Sequence, residues 1–144
     1  MTKTTVSMLM VGGFFAVSVA HAVVVAQAPT AASAGVYSAE QAKRGEAIYK
    51  ENCSACHGDN LEGSGPMPPL AGKDFLANWQ DKALSDLFEK TQTSMPATAP
   101  GTLTPAQTAD VIAYLLSVGM YPAGSAELQD KMEALLQIKL DAPK

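Results

Sequence analysis

Apolar positions divide this chain into one continuous run followed by several stretches of helical spacing. Residues 6–20 are apolar except for glycine and serine, with Lys3 before them and Ala20-His21-Ala22 after them. A basic start, an apolar centre and a small-x-small end make a secretory signal peptide, so residues 1–22 are expected to be a removable leader. Ala26-Gln27-Ala28 is a second cleavage pattern, which would extend the leader to 28 although Pro29 follows it. Retained instead, the same run approaches the ~20 residues that span a bilayer. Residues 23–36 end in small residues and breakers without period, the pattern of a flexible linker.

Helical spacing starts after Tyr37. Ser38 with Gln41 three residues on is a capping-box pattern, and Ala42, Gly45, Ile48 and Tyr49 share one face. Gly45 inside a helix costs on the order of 1 kcal/mol against alanine, which points to a close approach by another helix. Glycines and prolines then crowd residues 58–69, an ordered loop rather than a helix or strand. Asn78 or Asp81 opens a short helix carrying Leu84, Leu87 and Phe88, with Trp79 near its start. Thr104-Pro105-Ala106-Gln107 combines an N-cap, a first-turn proline and a box glutamine. It predicts a helix to Val118, closed by Gly119, that buries Val111, Ile112, Tyr114, Leu115 and Leu116. Residues 127–140 place Leu128, Met132, Leu135 and Leu136 at helical spacing, a helix that packs on the domain or docks a partner. The expectation is an all-α domain over 37–120 with a C-terminal extension over 121–144.

Chemistry concentrates in Cys53-Ser54-Ala55-Cys56-His57. Two thiols two residues apart, followed at once by histidine, form the attachment pattern for c-type haem: the sulfurs add to the macrocycle and the imidazole ligates iron. A redox dithiol would need only the two cysteines. A structural zinc would need four ligands, whereas the chain has two Cys and two His, with His21 in the leader. A backbone carbonyl in Pro68-Pro69-Leu70 is placed to accept the His57 Nδ1 proton, as partners of ligating histidines do. Trp79 either fills the core or gives its indole N–H to a haem propionate.

A thioether opposite His57 would complete a six-coordinate iron, which suits electron transfer and leaves no site for substrate. Of seven methionines, Met1, Met8 and Met10 lie in the leader, and Met95 sits on a loop between two helices, stiffened by Pro96. Met67 is the alternative. A small domain also gains from a covalently held apolar group that serves as staple and core filler. The formal net charge of −4 and the lack of a basic cluster argue against nucleic acid.

Gly45 and Tyr49 before the pentapeptide, Pro68-Pro69-Leu70 after it, Met95-Pro96 and the last helix with Tyr114 together resemble class I cytochromes c over residues 37–119. The resemblance implies a small all-α fold around one covalently attached haem c. It implies His57 and Met95 as iron ligands, Pro68 as the carbonyl partner of His57, and Gly45 and Tyr49 packed on Val111 and Tyr114. Residues 119–128 further resemble the haem domains and partner cytochromes of pyrroloquinoline-quinone-dependent alcohol dehydrogenases. That implies a periplasmic one-electron carrier, not itself an enzyme. Its donor would be a quinoprotein dehydrogenase and its acceptor a terminal oxidase or another cytochrome. Two rivals stand beside it: a five-coordinate haem enzyme or gas sensor, for which no histidine remains after His57 as a distal acid–base group, and a fixed haem subunit of a membrane-associated complex.

Overall fold

Two 14-residue helices, α1 (Ala39–Asn52) and α5 (Pro105–Val118), meet where Gly45 lets their backbones touch. A methyl built on Gly45 would lie 1.8 Å from the Asp110 carbonyl oxygen, so only glycine fits this contact. Tyr49, Leu61, Val111 and Leu115 are buried beside it, and the Tyr49 and Tyr114 rings stack tilted with centroids 5.3 Å apart. The computed structural model describes residues 30–143; the predicted leader and both of its cleavage patterns lie outside the described residues.

The α5 cap forms as predicted: Thr104 Oγ1 accepts from the Gln107 N–H, and Gln107 Oε1 accepts from the Thr104 N–H at 2.8 Å. At the α1 cap only half of the box forms. Ser38 Oγ accepts from the Gln41 N–H at 3.1 Å, but the Gln41 amide leaves the helix end and pairs with both backbone groups of Leu128, at 2.9 and 2.7 Å. Gln41 is buried, and its amide gives both peptide groups of the buried Leu128 a partner. At the far end of α5, Gly119 keeps φ −70° and Met120 takes the left-handed turn at φ 66°.

Between the long helices lie α2 (Ser54–His57), α3 (Gly72–Trp79) and α4 (Leu84–Ser94). Helix α3 is not foreseen by the periodicity, because its eight residues bury Phe75 as their one fully covered side chain. Trp79 ends α3 instead of opening the next helix. Helix α4 starts after Ala83, and neither Asn78 nor Asp81 caps it. Asn78 bonds back to the Asp74 carbonyl, while Asp81 sits at φ 66° and gives its N–H to Leu140.

The C-terminal stretch contains one helical turn, α6 (Met132–Leu135), in place of a long helix. Leu128, Leu135 and Leu140 are buried, whereas Met132 and Leu136 are exposed. Both peptide groups of Leu128 pair with the Gln41 amide, and the chain there is in no helix. Beyond α6, strand β2 (Ile138–Lys139) pairs in parallel with β1 (Thr30–Ala31). Residues 30–36, expected as linker, are therefore packed: Ala32 has no exposure, and Ser33 donates to the Asp141 carboxylate from both its N–H and its hydroxyl. Their partners lie over a hundred residues away, which no local pattern records. Among the described residues no helix is long and apolar enough to cross a membrane.

Candidate cofactor cleft

Cys53 closes α1, its N–H bonded to the Tyr49 carbonyl at 2.8 Å. Its own carbonyl accepts from Cys56 and His57, so α2 winds tightly and holds both thiols and the imidazole on one rigid turn. Tyr49 OH donates to the Gly58 carbonyl at 2.6 Å, tying that turn back to the α1–α5 contact.

The loop that follows returns under His57. Gly63 donates to the His57 carbonyl at 2.8 Å, Leu70 to Leu61 at 2.9 Å, and Ser64 pairs with Met67. Gly63 has φ 78°, and a methyl there would sit 2.6 Å from the Met67 carbonyl oxygen, so the loop closes this tightly only with glycine. The closure brings Pro68 O within 2.8 Å of His57 Nδ1. A carbonyl can only accept, so Nδ1 carries the proton and Nε2 keeps its lone pair for a metal. His57 is buried.

Met95 caps α4 from a separate element, its N–H bonded to the Thr91 carbonyl at 3.0 Å, and the Met95–Pro96 peptide is cis. One cleft of about 520 Å³ is lined by all six residues singled out from the sequence: Cys53, Cys56, His57, Pro68, Trp79 and Met95. That volume is within the ~300–1,000 Å³ range of small-molecule and cofactor sites. Phe75, Leu87, Val111 and Leu115 add apolar wall, and Asn52, Asn78, Lys82 and Lys90 stand among the polar lining. Met67 also lines the cleft, on the loop that carries Pro68, whereas Met120 and Met132 do not.

Burial, and secondarily Cys56, pushes the Cys53 thiol up to about 11. Reactive dithiols depend on the opposite shift, so Cys53 is poorly suited to redox exchange. Sequence reasoning overlooked Lys82, whose Nζ stands 5.1 Å from the centroid of the Trp79 ring. The loop that carries it is set by contacts with the C-terminal strand, for which the local sequence has no signal.

Residues 40–115, just over half of the chain, match the family described as "Cytochrome C oxidase, cbb3-type, subunit III". The chain belongs to this cytochrome c family. Among its relatives are cytochrome c-552 of Acidithiobacillus ferridurans, 35% identical over 65% of this chain and 43% of that protein, and cytochrome c of Guizotia abyssinica, 31% identical over 54% of this chain and 89% of that protein. The cbb3-type cytochrome c oxidase subunit FixP of Bradyrhizobium diazoefficiens is 32% identical over 54% of this chain and 28% of its own length. The chain thus spans less than half of the oxidase subunit and of cytochrome c-552. A solved structure titled as the sulfane dehydrogenase SoxCD of Paracoccus pantotrophus shares the fold at a TM-score of 0.55 and 27% identity, covering 69% of this chain and 52% of that one.

The mostly helical architecture is that of a small class I cytochrome c, and the cofactor of this family is covalently bound haem c. This cytochrome's cleft fits that group: paired thiols, an imidazole with Nε2 free, a thioether from another element, and apolar walls.

Proposed function

We propose that this cytochrome is a periplasmic one-electron carrier in which Cys53 and Cys56 hold haem c through thioether bonds and His57 and Met95 ligate its iron. When bound, the haem supplies a one-electron iron couple. The chain's own residues orient and shield it. Pro68 fixes the His57 ring and its tautomer, which raises the basicity of Nε2. Met95 would ligate the iron from a different element than His57 and so exclude small ligands, Leu87, Val111 and Leu115 would keep water from the haem, and the Trp79 indole N–H would be available to a propionate. The observation that carries this reading is the 2.8 Å contact of His57 Nδ1 with Pro68 O in a cleft that Met95 also lines.

The donor in this reading is a dehydrogenase, of the quinoprotein class by the likeness of residues 119–128. The acceptor is a terminal oxidase or another cytochrome. Kinship with oxidase subunits supports the acceptor, and the fold shared with a structure titled as a sulfane dehydrogenase supports a dehydrogenase donor, while its quinoprotein class rests on the likeness of residues 119–128 alone. The apolar run after Lys3 supports export.

The test is an optical spectrum of protein matured with haem in a periplasm, with Met95→Ala and Met67→Ala alongside. The ferric wild type and Met67→Ala are expected to show the red charge-transfer band of sulfur–iron ligation, and Met95→Ala to lack it. A wild type without the band that binds carbon monoxide readily when reduced would have an open iron, and the enzyme-or-sensor reading would replace this one. A second reading, a fixed haem subunit of a membrane-associated complex, is favoured by the relatives named as oxidase subunits. N-terminal sequencing of the mature protein separates the two, since a start near residue 23 or 29 belongs to a free carrier and an intact leader to an anchored subunit.

A further inference from the structure

Lys82 is an exposed cation at the cleft of an otherwise acidic protein, and its backbone is gripped by the far end of the chain. The Leu140 N–H donates to the Lys82 carbonyl at 2.9 Å, and the Asp81 N–H donates to the Leu140 carbonyl at 2.8 Å. Ala83 pairs with Lys139 as an antiparallel bridge. Leu140 itself is 1% exposed, and the next residue, Asp141, is held by Ser33 and by the Tyr121 hydroxyl. Asp81 at φ 66° completes the bend that carries Lys82 back over the Trp79 ring. The C-terminal strand is thus seated in the core on one side and fixes the cleft-lining loop on the other.

We propose that Leu140 is a positioning residue that holds Lys82 at the cleft, and that the Lys82 ammonium there raises the reduction potential of the bound haem. The inference rests on haem c occupying this cleft. A fixed positive charge favours the iron state with the added electron. Because Lys82 is exposed, salt screens its effect. Leu140 acts only through Lys82: its buried side chain anchors the strand whose backbone grips the loop. The terminal segment is therefore part of the redox tuning as well as of the packing.

The test is equilibrium redox titration of the full-length holoprotein at low and high salt. It compares wild type, Lys82→Gln, Lys82→Arg, Leu140→Ala and the double variant Lys82→Gln/Leu140→Ala. Lys82→Gln is expected to lower the potential, more at low salt than at high, and Lys82→Arg to retain the wild-type value. Leu140→Ala is expected to lower the potential in the wild-type background and to leave it unchanged in the Lys82→Gln background, although it lowers the melting temperature in both. Leu140→Val takes its place if the alanine variant does not mature. An unchanged potential in Lys82→Gln, or an equal drop from the Leu140 substitution in both backgrounds, overturns the proposal. The sulfur–iron band, recorded on every sample, tests the Met95 ligation separately: its absence from wild type refutes that ligand assignment and leaves the charge effect of Lys82 to be read from the same titrations.

Discussion

Replacing Gly45 by alanine inserts one methyl into the α1–α5 contact. The new carbon would lie 1.8 Å from the Asp110 carbonyl oxygen, 2.5 Å from its carbon and 3.0 Å from the Tyr114 Cβ. Real Cβ contacts stay beyond 3.0 Å, so the helices must separate by more than an ångström, and the nearest atoms are backbone that cannot rotate away. Overpacking of a core costs ~1–3 kcal/mol and occasionally more, and a backbone obstacle puts this site at the upper end. Alanine returns about 1 kcal/mol of helix propensity. The net loss is about 2 kcal/mol, and a domain between the ~100- and ~150-residue classes melts ~4 °C lower per kcal/mol, so the holoprotein should melt about 8 °C lower. Separation also loosens the Tyr49–Tyr114 stack, and with it the Tyr49 bond to Gly58 behind the Cys53–His57 turn. Thermal unfolding of the holoprotein by far-UV circular dichroism reads the effect. A Gly45→Ala variant that melts at or above the wild-type temperature would refute the reasoning.

Gln41→Ala leaves the Leu128 N–H and carbonyl without their partner; at ~1–3 kcal/mol for each buried group left unpaired, denaturant unfolding should show a loss of about 2–6 kcal/mol, with Leu128 becoming accessible to amide exchange. Tyr49→Phe keeps the ring and removes the bond to Gly58, so a loss of ~1–3 kcal/mol is expected in the same assay. Arg44 bonds both Asp110 and Glu127, and its hydrogen bond is the chief reason the Glu127 carboxyl lies below its usual 4.5. A folded-state pKa lowered in this way contributes stability above 4.5 that disappears as pH falls through the lower folded value. Wild type should therefore melt above Glu127→Gln at neutral pH and low salt, and the gap should close in strong acid; a gap that persists there would place the effect in packing.

Residues whose roles depend on near neighbours in sequence were legible. The Cys53–His57 spacing and the Thr104–Gln107 box each carry their geometry within a few residues, and the glycine at 45 signalled a close approach without showing which helix makes it. The spacing of Pro68 and Met95 from His57 likewise pointed to a shared site, and one cleft does contain all three. Gln41 shows the limit. Its position three residues after Ser38 is the cap pattern, yet its amide pairs with the buried N–H and carbonyl of Leu128, 87 residues away.

The helical class, the thiol and imidazole spacing of Cys53–His57 and the need for a close helix approach at Gly45 were legible along the chain, because they follow from local conformational preference and covalent spacing; that the approaching helix is α5 was implied only by the family resemblance. The assembled fold alone decided that residues 30–36 form a packed edge, that Leu128 pairs with the Gln41 amide outside any helix and that Lys82 stands at the cleft. Each of these rests on groups paired between distant parts of the chain, and such pairing is a property of the assembled core, with no period or composition along the chain to announce it.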